Sequence, residues 1–265
     1  MENNKLAIIG CGNLGTSIMK GLLEGKTLQP DQIAATRRNT ESLASYKYQG
    51  VHVTSDNVEA ARTSEVILIA VKPYNIRQIL EEIKEVLDPS RHILVSAVTG
   101  VGIQEIQDVV QVALPVFRVM PNTAADVKES VTCICQQNAQ PMDIDRIHHL
   151  FSRIGTPIQI DEHLMEAATI LGACGIAYVM RFIRAMIQGG IQIGFDTKTA
   201  NAIVNQTVLG AAKLLIERQE HPEHEIDKVT TPKGCTIVGL NEMEHNGFSS
   251  SLIKGIVSSF EKIEK

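Results

Sequence analysis

The stretch Lys5-Leu6-Ala7-Ile8-Ile9-Gly10-Cys11-Gly12-Asn13-Leu14-Gly15 decides the fold of this chain. A short apolar run leads into a Gly-x-Gly-x-x-Gly turn, and the sequence after the turn has the pattern of a helix. A strand, a glycine-rich turn and a helix in this order form a dinucleotide-binding fingerprint, whereas the glycines alone would be weak evidence.

Each glycine of the turn has a physical role in that fingerprint. Gly10 permits the tight turn, Gly12 lets the backbone approach a pyrophosphate, and Gly15 lets the helix pack on the strand. The N–H groups and the positive dipole end of the helix then face the phosphates. We therefore favour a cofactor site over a purely structural glycine turn, and assign to it Gly10, Cys11, Gly12, Asn13, Leu14 and Gly15.

The composition limits the classes of function. The chain has 265 residues, of which 44% are apolar, and a formal net charge of −5. This length allows one large or two ordinary domains, and the negative charge argues against a nucleic-acid partner. The first residues lack the basic-then-apolar pattern of a secretory signal, so we expect a cytoplasmic protein. Five widely spaced cysteines without a CxxC pair indicate reduced thiols, and no metal site is predicted.

Two segments of different character predict two domains. Residues 1–161 alternate short apolar runs with helical patterns, and the run Val66-Ile67-Leu68-Ile69-Ala70-Val71 is typical of a central parallel strand. This alternation predicts an α/β Rossmann domain with a doubly wound, mostly parallel sheet. Residues 162–265 show no strand pattern and predict an all-α domain, whose roles in dimerisation and substrate binding depend on the features described below.

A long apolar stretch at residues 164–193 overlaps a single helix predicted over residues 162–192. The stretch carries Glu166, Arg181 and Arg184, so we interpret it as a buried helix and not as a membrane span. A helix that is apolar around most of its circumference must bury that surface against something. A second copy of the chain is the expected partner, which predicts a homodimer or a higher oligomer and no membrane partner.

The end of the second predicted strand bears on the choice of cofactor. An NAD-specific site usually has Asp or Glu about twenty residues past the glycines. Here the strand ends in Thr36-Arg37-Arg38-Asn39, without a carboxylate. Arginine pairs bidentately with phosphate and stays charged, so Thr36, Arg37 and Arg38 favour a 2′-phosphate. We predict NADPH as the cofactor, with NADH weaker; a solvated basic loop is the alternative.

Three further loops follow predicted strands or open predicted helices. Val71-Lys72-Pro73 ends the central strand and by its position borders the cofactor, but proline is ordinary at a helix start, and from this loop alone we favour the structural role. Met120-Pro121-Asn122-Thr123 follows a later strand and is placed to line the nicotinamide end. The turn Thr231-Pro232-Lys233-Gly234-Cys235-Thr236 opens a helix. On the residues alone we favour a plain capping turn, and the alternative is a carboxylate site formed by converging N–H groups.

Two of the cysteines lie in these turns. Cys11 and Cys235 both stand at predicted helix N-termini, where the thiolate is favoured. We expect both thiols to be reactive, and the alternative is that both are small buried residues.

Taken together, these motifs resemble the pyrroline-5-carboxylate reductase family over nearly the whole chain. Several unrelated motifs in the right order are far more specific than any one of them. The resemblance includes Ile9-Gly10-Cys11-Gly12-Asn13-Leu14-Gly15, Asp56-Asn57, Ala70-Val71-Lys72-Pro73, Leu94-Val95-Ser96, Arg118-Val119-Met120-Pro121-Asn122-Thr123, Gln206-Thr207-Val208-Leu209-Gly210-Ala211-Ala212, and residues 231–236 followed by Gly239-Leu240.

The resemblance implies an NAD(P)H-dependent oxidoreductase of proline biosynthesis with an N-terminal Rossmann domain and a helical domain that interlocks as a dimer. Its substrate is a small imino acid, 1-pyrroline-5-carboxylate, which receives a hydride at its cyclic imine and becomes L-proline. The substrate site it implies comprises the backbone of Lys233, Gly234 and Cys235 for the carboxylate, Asn122, and Thr236 as the catalytic residue that hydrogen-bonds the imine nitrogen. The further cofactor contacts it implies are Asn57, Ala70, Val71, Lys72, Pro73 and Ser96.

Two departures from the family pattern keep other functions open. The family usually has Ser-Gly-Ser-Gly-Pro-Ala where this chain has Gly172-Ala173-Cys174-Gly175-Ile176-Ala177, and it has a glycine where this chain has Lys233. The alternatives are a paralogous reductase of another small imine or carbonyl acid and a non-catalytic NADP-binding regulatory protein. The presence of Thr236 and Asn122 argues against the regulatory protein.

Overall fold

The computed structural model describes residues 5–263, so the outer ends of both predicted domains, 1–4 and 264–265, lie outside the described residues. The chain divides into two compact units. The sheet unit runs to Cys174 and includes Ile263, and the helical unit is Gly175–Lys262. The predicted domain boundary after residue 161 marks the end of the last strand, whereas the units separate later because Met165 packs into the core of the sheet unit.

An eight-stranded sheet forms the centre of the sheet unit. Its strands are β1 Leu6–Ile9, β2 Ile33–Thr36, β3 His52–Thr54, β4 Val66–Ile69, β5 Ile93–Ser96, β6 Val116–Met120, β7 Ser130–Gln137 and β8 Gly155–Gln159. They lie in the order β3-β2-β1-β4-β5-β6-β7-β8, and β7 runs antiparallel to β6 while the other pairs are parallel. The first six strands have the Rossmann order, which confirms the predicted fold class.

Helices cover both faces of this sheet. They are α1 Asn13–Glu24, α2 Ala44–Tyr48, α3 Asn57–Arg62, α4 Pro73–Ile83, α5 Ile103–Val110, α6 Pro141–Ser152 and α7 Met165–Ala168. One apolar cluster takes in Met19 of α1 and Phe151 of α6, and a second takes in Leu80 of α4 and Ile106 of α5. Because both faces are covered, β1, β2, β4, β5 and β6 are buried along their whole length, as the apolar run of β4 predicts. Three polar residues are buried with them, namely Thr36, Ser96 and Arg118.

The strand register brings the loops of the predicted cofactor site to one edge of the sheet. Ile9, the last residue of β1, pairs with Thr36 of β2 on one side and with Ile69 of β4 on the other. Ile69 in turn pairs with Ser96, the last residue of β5. Four parallel strands therefore end level with one another, and ligands of doubly wound sheets bind outside such an edge.

The single helix predicted over residues 162–192 is interrupted. It consists of a 3₁₀ turn at Glu162–Leu164, then α7, a π-helical segment at Thr169–Cys174, and α8 Gly175–Gln192. The π-helical segment includes the carbonyl of Gly172, which accepts a hydrogen bond from the Asn122 side chain at 3.0 Å. The periodicity of a helix cannot predict a contact between residues that are fifty positions apart in the chain.

The remaining helices are α9 Thr197–Arg218, α10 Pro222–Lys228, α11 Cys235–His245 and α12 Phe248–Ile263. The sequence predicts helices from 196 or 197 to about 219 and over 222–229, 236–245 and 249–263, and the observed bounds agree to within a residue or two. Asp196 caps α9 through the N–H groups of Lys198 and Thr199. The burial predicted for residues 164–193 is not provided by the single chain along α8, which contains no buried residue. The segment Glu162–Gln192 is long and apolar enough to cross a membrane, by length and composition alone.

Candidate functional site

The glycine turn after β1 has the geometry that the fingerprint requires. Gly10 has φ +97°, and a Cβ there would lie 2.6 Å from Val71 Cγ1 and 2.8 Å from the Ala70 carbonyl oxygen. A Cβ on Gly15 would lie 2.7 Å from the carbonyl oxygen of Gly10. Both glycines are therefore required by backbone conformation or by close packing within the protein.

Gly12 differs from its two neighbours in the motif. A Cβ on Gly12 would meet no heavy atom of the described residues within 4 Å, so packing inside the protein does not explain the glycine. The space beside its backbone is what a bound pyrophosphate needs. Gly12 is also the N-cap of α1, where no side chain caps the helix and the first turn contains no acidic residue. The N-terminus of α1 thus suits an anion, and the chain fits a dinucleotide here.

Cys11 in this turn is a buried thiol. Its Sγ lies 3.5 Å from the carbonyl oxygen of Ile8, to which it donates, and the residue has no exposed surface. Burial raises the pKa of Cys11 to about 12, and the nearby Thr36 and Arg37 offset this only in part. The expectation of a reactive thiolate at Cys11 is wrong, because desolvation outweighs the helix N-terminus. Cys235, by contrast, is exposed.

The end of β2 holds the glycine turn in place. The N–H groups of Gly10 and Cys11 donate to the Thr36 carbonyl oxygen at 3.2 and 2.8 Å. From the next residue, Arg37 Nη1 donates to the Cys11 carbonyl oxygen at 3.0 Å. Thr36 and Arg37 are thus brought to the dinucleotide turn, while Arg38 is exposed beside them. That the two arginines bind a 2′-phosphate stays a prediction.

Asn57 connects this strand end to α4. Its side-chain oxygen accepts from the Thr36 hydroxyl at 2.7 Å, and its amide nitrogen donates to the Glu82 carboxylate at 3.0 Å. Glu82 was not predicted from the sequence. It lies on the exposed face of an amphipathic helix, where a carboxylate is ordinary, and no local pattern distinguishes it from Glu81.

The loops after β4 and β5 lie at the same edge. The Ala70 N–H donates to the Ile9 carbonyl oxygen at 2.8 Å, and Val71 faces Gly10 as described above. Lys72 is the N-cap of α4 and Pro73 its first residue, so this proline also has the ordinary role at a helix start. Ser96 is buried, and its hydroxyl oxygen accepts from the Val98 N–H at 3.3 Å.

Asn122, which was predicted to lie near the substrate, is buried and makes hydrogen bonds to three parts of the chain. Its backbone N–H donates to the Ser130 hydroxyl at 2.9 Å, and its side-chain oxygen accepts from the Ala124 N–H at 2.9 Å. Its amide nitrogen donates to the carbonyl oxygen of Gly172 in the π-helical segment. Each polar group of Asn122 makes a bond that shapes the protein, and its contact with substrate stays a prediction.

A buried ion-pair cluster joins β6 to the start of the long helical segment. Arg118, 3% exposed, donates to Glu162 at 3.1 Å and to Glu166 at 2.9 Å. Glu162 also accepts from the N–H of Ile103, the first residue of α5, at 2.7 Å. The role of Arg118 was not predictable from its sequence motif, because its partners lie more than forty residues along the chain.

The loop at residues 231–236 is a β-turn that leads into α11. The Gly234 N–H donates to the Thr231 carbonyl oxygen at 2.9 Å, with Pro232 and Lys233 at the central positions. Lys233 has φ +60°, and positive φ at the third position is the mark of a type II turn, which favours glycine there. The residue that departs from the family pattern therefore occupies a conformation suited to glycine.

The start of α11 is open to an anion in the same sense as the start of α1. A Cβ on Gly234 would lie 2.5 Å from the Thr231 hydroxyl oxygen, so the tight turn requires glycine at this position. Gly234 is the N-cap of α11, no side chain caps the helix, and its first turn has no acidic residue. Cys235 is the first residue of the helix and the half-buried Thr236 the second.

Comparison with known proteins gives two matching family models. Residues 162–265 match the family described as pyrroline-5-carboxylate reductase dimerisation, and residues 5–100 match the family described as NADP oxidoreductase coenzyme F420-dependent. The sequence is thus matched in both its sheet-forming and its helical part.

Curated relatives match over the whole chain. Pyrroline-5-carboxylate reductase 2 of Dictyostelium discoideum is 41% identical over 100% of this chain and 94% of its own length. Pyrroline-5-carboxylate reductase of Methanosarcina acetivorans is 34% identical over 99% of this chain and 97% of its own length. Pyrroline-5-carboxylate reductase 1 of D. discoideum is 42% identical over 99% of this chain, which spans half the length of that relative.

Two solved structures share the fold of this chain over nearly its whole length. The crystal structure of Plasmodium falciparum pyrroline carboxylate reductase with NADP bound has a TM-score of 0.91 at 27% identity, covering 99% of this chain and 98% of that one. The pyrroline-5-carboxylate reductase of Coxiella burnetii has a TM-score of 0.88 at 27% identity, with the same coverage of 99% and 98%.

Proposed function

This chain belongs to the pyrroline-5-carboxylate reductase family, and we propose that it reduces 1-pyrroline-5-carboxylate to L-proline with NADPH. The observation that carries the proposal is the pair of open helix N-termini, one behind the glycine turn of β1 and one behind the turn at residues 231–236. The first suits a pyrophosphate and the second a carboxylate.

The residues of the sheet unit bind and orient the cofactor. NADPH, when bound, supplies a hydride ion. The N–H groups at the start of α1 bind the pyrophosphate, and the glycine at position 12 leaves room for it. Arg37 and Arg38 offer positive charge to the 2′-phosphate, which is the basis for preferring NADPH over NADH. The loop at Val71 and Lys72 borders the cofactor at the same sheet edge.

The turn at residues 231–236 binds and orients the substrate. The backbone N–H groups of Lys233, Gly234 and Cys235 receive the carboxylate of the imino acid at the N-terminus of α11. The Thr236 hydroxyl group forms a hydrogen bond with the imine nitrogen. A cyclic imine protonates readily and then accepts hydride directly, so orientation of the two reactants is the main task of the protein.

The assembly that we propose is a homodimer or a higher oligomer formed by the helical part. Only 6% of the apolar window in Glu162–Gln192 is buried within the chain. Large apolar side chains such as Met180 of α8, Leu209 of α9 and Leu252 of α12 are exposed in the single chain. An apolar surface of this extent needs a partner, and a second copy is the one that the match to a dimerisation family supports. Light scattering that gave a monomer at micromolar concentration would contradict this assembly.

The compartment that we propose is the cytoplasm. All five cysteines are free, including Cys133 and Cys135, which lie two positions apart on one strand. Free thiols throughout a chain are the usual condition in a reducing compartment.

Two experiments test the proposed reaction. Purified protein should oxidise NADPH only when 1-pyrroline-5-carboxylate is added, with proline as the product identified by mass spectrometry. Expression should restore growth without proline to a proline auxotroph. Oxidation of NADPH by other cyclic imines but not by 1-pyrroline-5-carboxylate would favour the paralogous reductase that Lys233 and residues 172–177 left open. NADPH binding without turnover of any imine would favour a regulatory protein.

A further inference from the structure

The end of β2 is joined to α4 by a chain of hydrogen bonds that runs through α3. The Thr36 hydroxyl donates to Asn57 Oδ1 at 2.7 Å, and Asn57 Nδ2 donates to Glu82 Oε2 at 3.0 Å. At the other end, the Gly10 N–H approaches Thr36 Oγ1 at 3.3 Å. The chain thus links Glu82, which lies outside every motif, to the first glycine of the dinucleotide turn.

Glu82 fixes the direction of each bond in this chain. An ionised carboxylate only accepts hydrogen bonds, so the Asn57 amide must turn its NH₂ group toward Glu82 and its oxygen toward Thr36. The Thr36 hydroxyl has one proton, and it gives that proton to Asn57. Thr36 therefore offers only oxygen lone pairs to the Gly10 N–H.

The position of Thr36 decides the position of the glycine turn. Its carbonyl oxygen accepts from the N–H groups of Gly10 and Cys11, and Arg37, the next residue, donates to the carbonyl oxygen of Cys11. A shift of Thr36 would therefore move the glycine turn and the guanidinium group of Arg37 together. Binding sites depend on such supporting contacts, because small displacements of the groups that touch the ligand weaken binding.

We propose that Glu82 is a positioning residue for NADPH. Through Asn57 and Thr36 it keeps the end of β2 and the glycine turn in the geometry that binds the cofactor. The inference rests on the proposed function for the identity of the cofactor, and on nothing that concerns the substrate.

The test exchanges the amide and the carboxylate between positions 57 and 82 and asks whether NADPH binding is restored. The dissociation constant of NADPH is measured from the fluorescence of the cofactor. Asn57→Asp places a second carboxylate against Glu82, and we expect NADPH to bind about tenfold more weakly. Glu82→Gln keeps an acceptor oxygen and should change the constant by less than about threefold. In the double variant Asn57→Asp, Glu82→Gln the introduced amide donates to the introduced carboxylate, so affinity should return to within about threefold of the unmodified protein.

Glu81 provides the matched control. It neighbours Glu82 on α4, but its carboxylate pairs with Lys84 at 2.6 Å. The double variant Asn57→Asp, Glu81→Gln has the same net charge as the rescuing variant, and we expect it to bind NADPH as weakly as Asn57→Asp alone. Recovery by Glu82→Gln and not by Glu81→Gln supports the proposal, and equal recovery by both overturns it.

Thermal unfolding of each variant shows whether it is folded. If Asn57→Asp does not fold, Glu82→Lys replaces it, because an ammonium group donates and forces the Asn57 amide to turn round. Glu82→Lys should weaken NADPH binding about tenfold while Glu81→Lys does not, and equal constants for the two overturn the proposal.

The outcomes also separate this inference from the proposed function. Unmodified protein that does not bind NADPH contradicts both. Protein that binds NADPH and reduces 1-pyrroline-5-carboxylate but shows no rescue contradicts only the role of Glu82. Protein that shows the rescue but does not reduce this imine contradicts only the proposed substrate.

Discussion

Arg118 Nη2 donates to the Glu166 carboxylate at 2.9 Å, and this bond ties the sheet to the start of the long helical segment. The Arg118 side chain is 4% exposed, so water cannot replace a lost partner. We expect Glu166→Ala to lower the free energy of unfolding by about 2–4 kcal/mol, since one bond to Glu162 remains. Urea denaturation measures this change.

Glu129 serves as the control for that experiment, because it is an exposed glutamate between β6 and β7. Glu129→Ala should change the free energy of unfolding by less than about 0.5 kcal/mol. Equal effects of Glu166→Ala and Glu129→Ala would mean that the buried cluster contributes no net stability.

The thiols of Cys11 and Cys235 should differ in reactivity. Burial raises the pKa of Cys11 to about 12, so at pH 8, far below that pKa, it is protonated and also inaccessible. Cys235 is exposed at the first position of α11. Alkylation at pH 8 followed by peptide mass spectrometry should find Cys235 modified and Cys11 intact, with or without NADPH. Modification of Cys11 at the rate of Cys235 is the result that would contradict the buried position of the turn.

The parts of the structure that were predictable have local causes. The glycine turn, the β-branched run at β4 and the cap of α9 by Asp196 each follow from residues adjacent in sequence. The fold class followed from the alternation of short apolar runs with helical patterns along residues 1–161. The candidate turn at residues 231–236 was located by its proline and glycine for the same reason.

The parts that were missed depend on contacts between distant residues. The π-helical segment contains Gly172, which Asn122 contacts fifty positions away. The burial of Cys11 is set by the packing of its turn against β2, and the link from Asn57 to Glu82 depends on how α3 and α4 lie side by side. Periodicity carries no information about such pairs, so neither Glu82 nor the partners of Arg118 could be found from the sequence.

The two arginines after β2 should have different effects on cofactor binding. Both arginines are exposed, and Arg37 donates to the Cys11 carbonyl oxygen and so supports the turn that both cofactors use. We expect Arg38→Ala to weaken NADPH binding about tenfold and NADH binding little, because a charge-assisted contact is lost only with NADPH. Arg37→Ala should weaken both cofactors.

Dissociation constants for NADPH and NADH on the two variants provide the comparison. Arg38→Lys keeps a charge without the bidentate geometry and should fall between the unmodified protein and Arg38→Ala. Equal constants for NADPH and NADH in the unmodified protein would remove the basis of this prediction.

Lys233 should destabilise its own turn. It has φ +60°, and a side chain in this left-handed region costs about 1–2 kcal/mol of folding free energy. Glycine would avoid that cost, but its greater conformational freedom in the unfolded chain would offset part of the gain. We therefore expect Lys233→Gly to raise the free energy of unfolding slightly, by up to about 1 kcal/mol. Lys233→Ala should not raise it, because alanine keeps the Cβ atom that makes this backbone conformation unfavourable. Thermal unfolding of the two variants distinguishes them. A loss of stability in Lys233→Gly would show that the lysine side chain makes a compensating contact.

The same loop yields the sharpest prediction about the reaction. Lys233 is exposed and adds little to an anion site that already has N–H donors, so Lys233→Gly should change the apparent substrate constant less than about tenfold. Thr236 is expected to bond the imine nitrogen as charge redistributes, so Thr236→Ala should lower turnover as well as binding, by about 1–3 kcal/mol in kcat/KM.

Thr236→Ser separates this role of Thr236 from a packing role, because serine keeps the hydroxyl and loses only the methyl group. If the hydroxyl acts on the imine, Thr236→Ser should recover most of the turnover that Thr236→Ala loses. Steady-state kinetics with 1-pyrroline-5-carboxylate on the variants decides between the two roles. An inactive Lys233→Gly beside a fully active Thr236→Ala would reverse the roles of the two residues and favour a different substrate, since the lysine side chain would then be making the contact that matters.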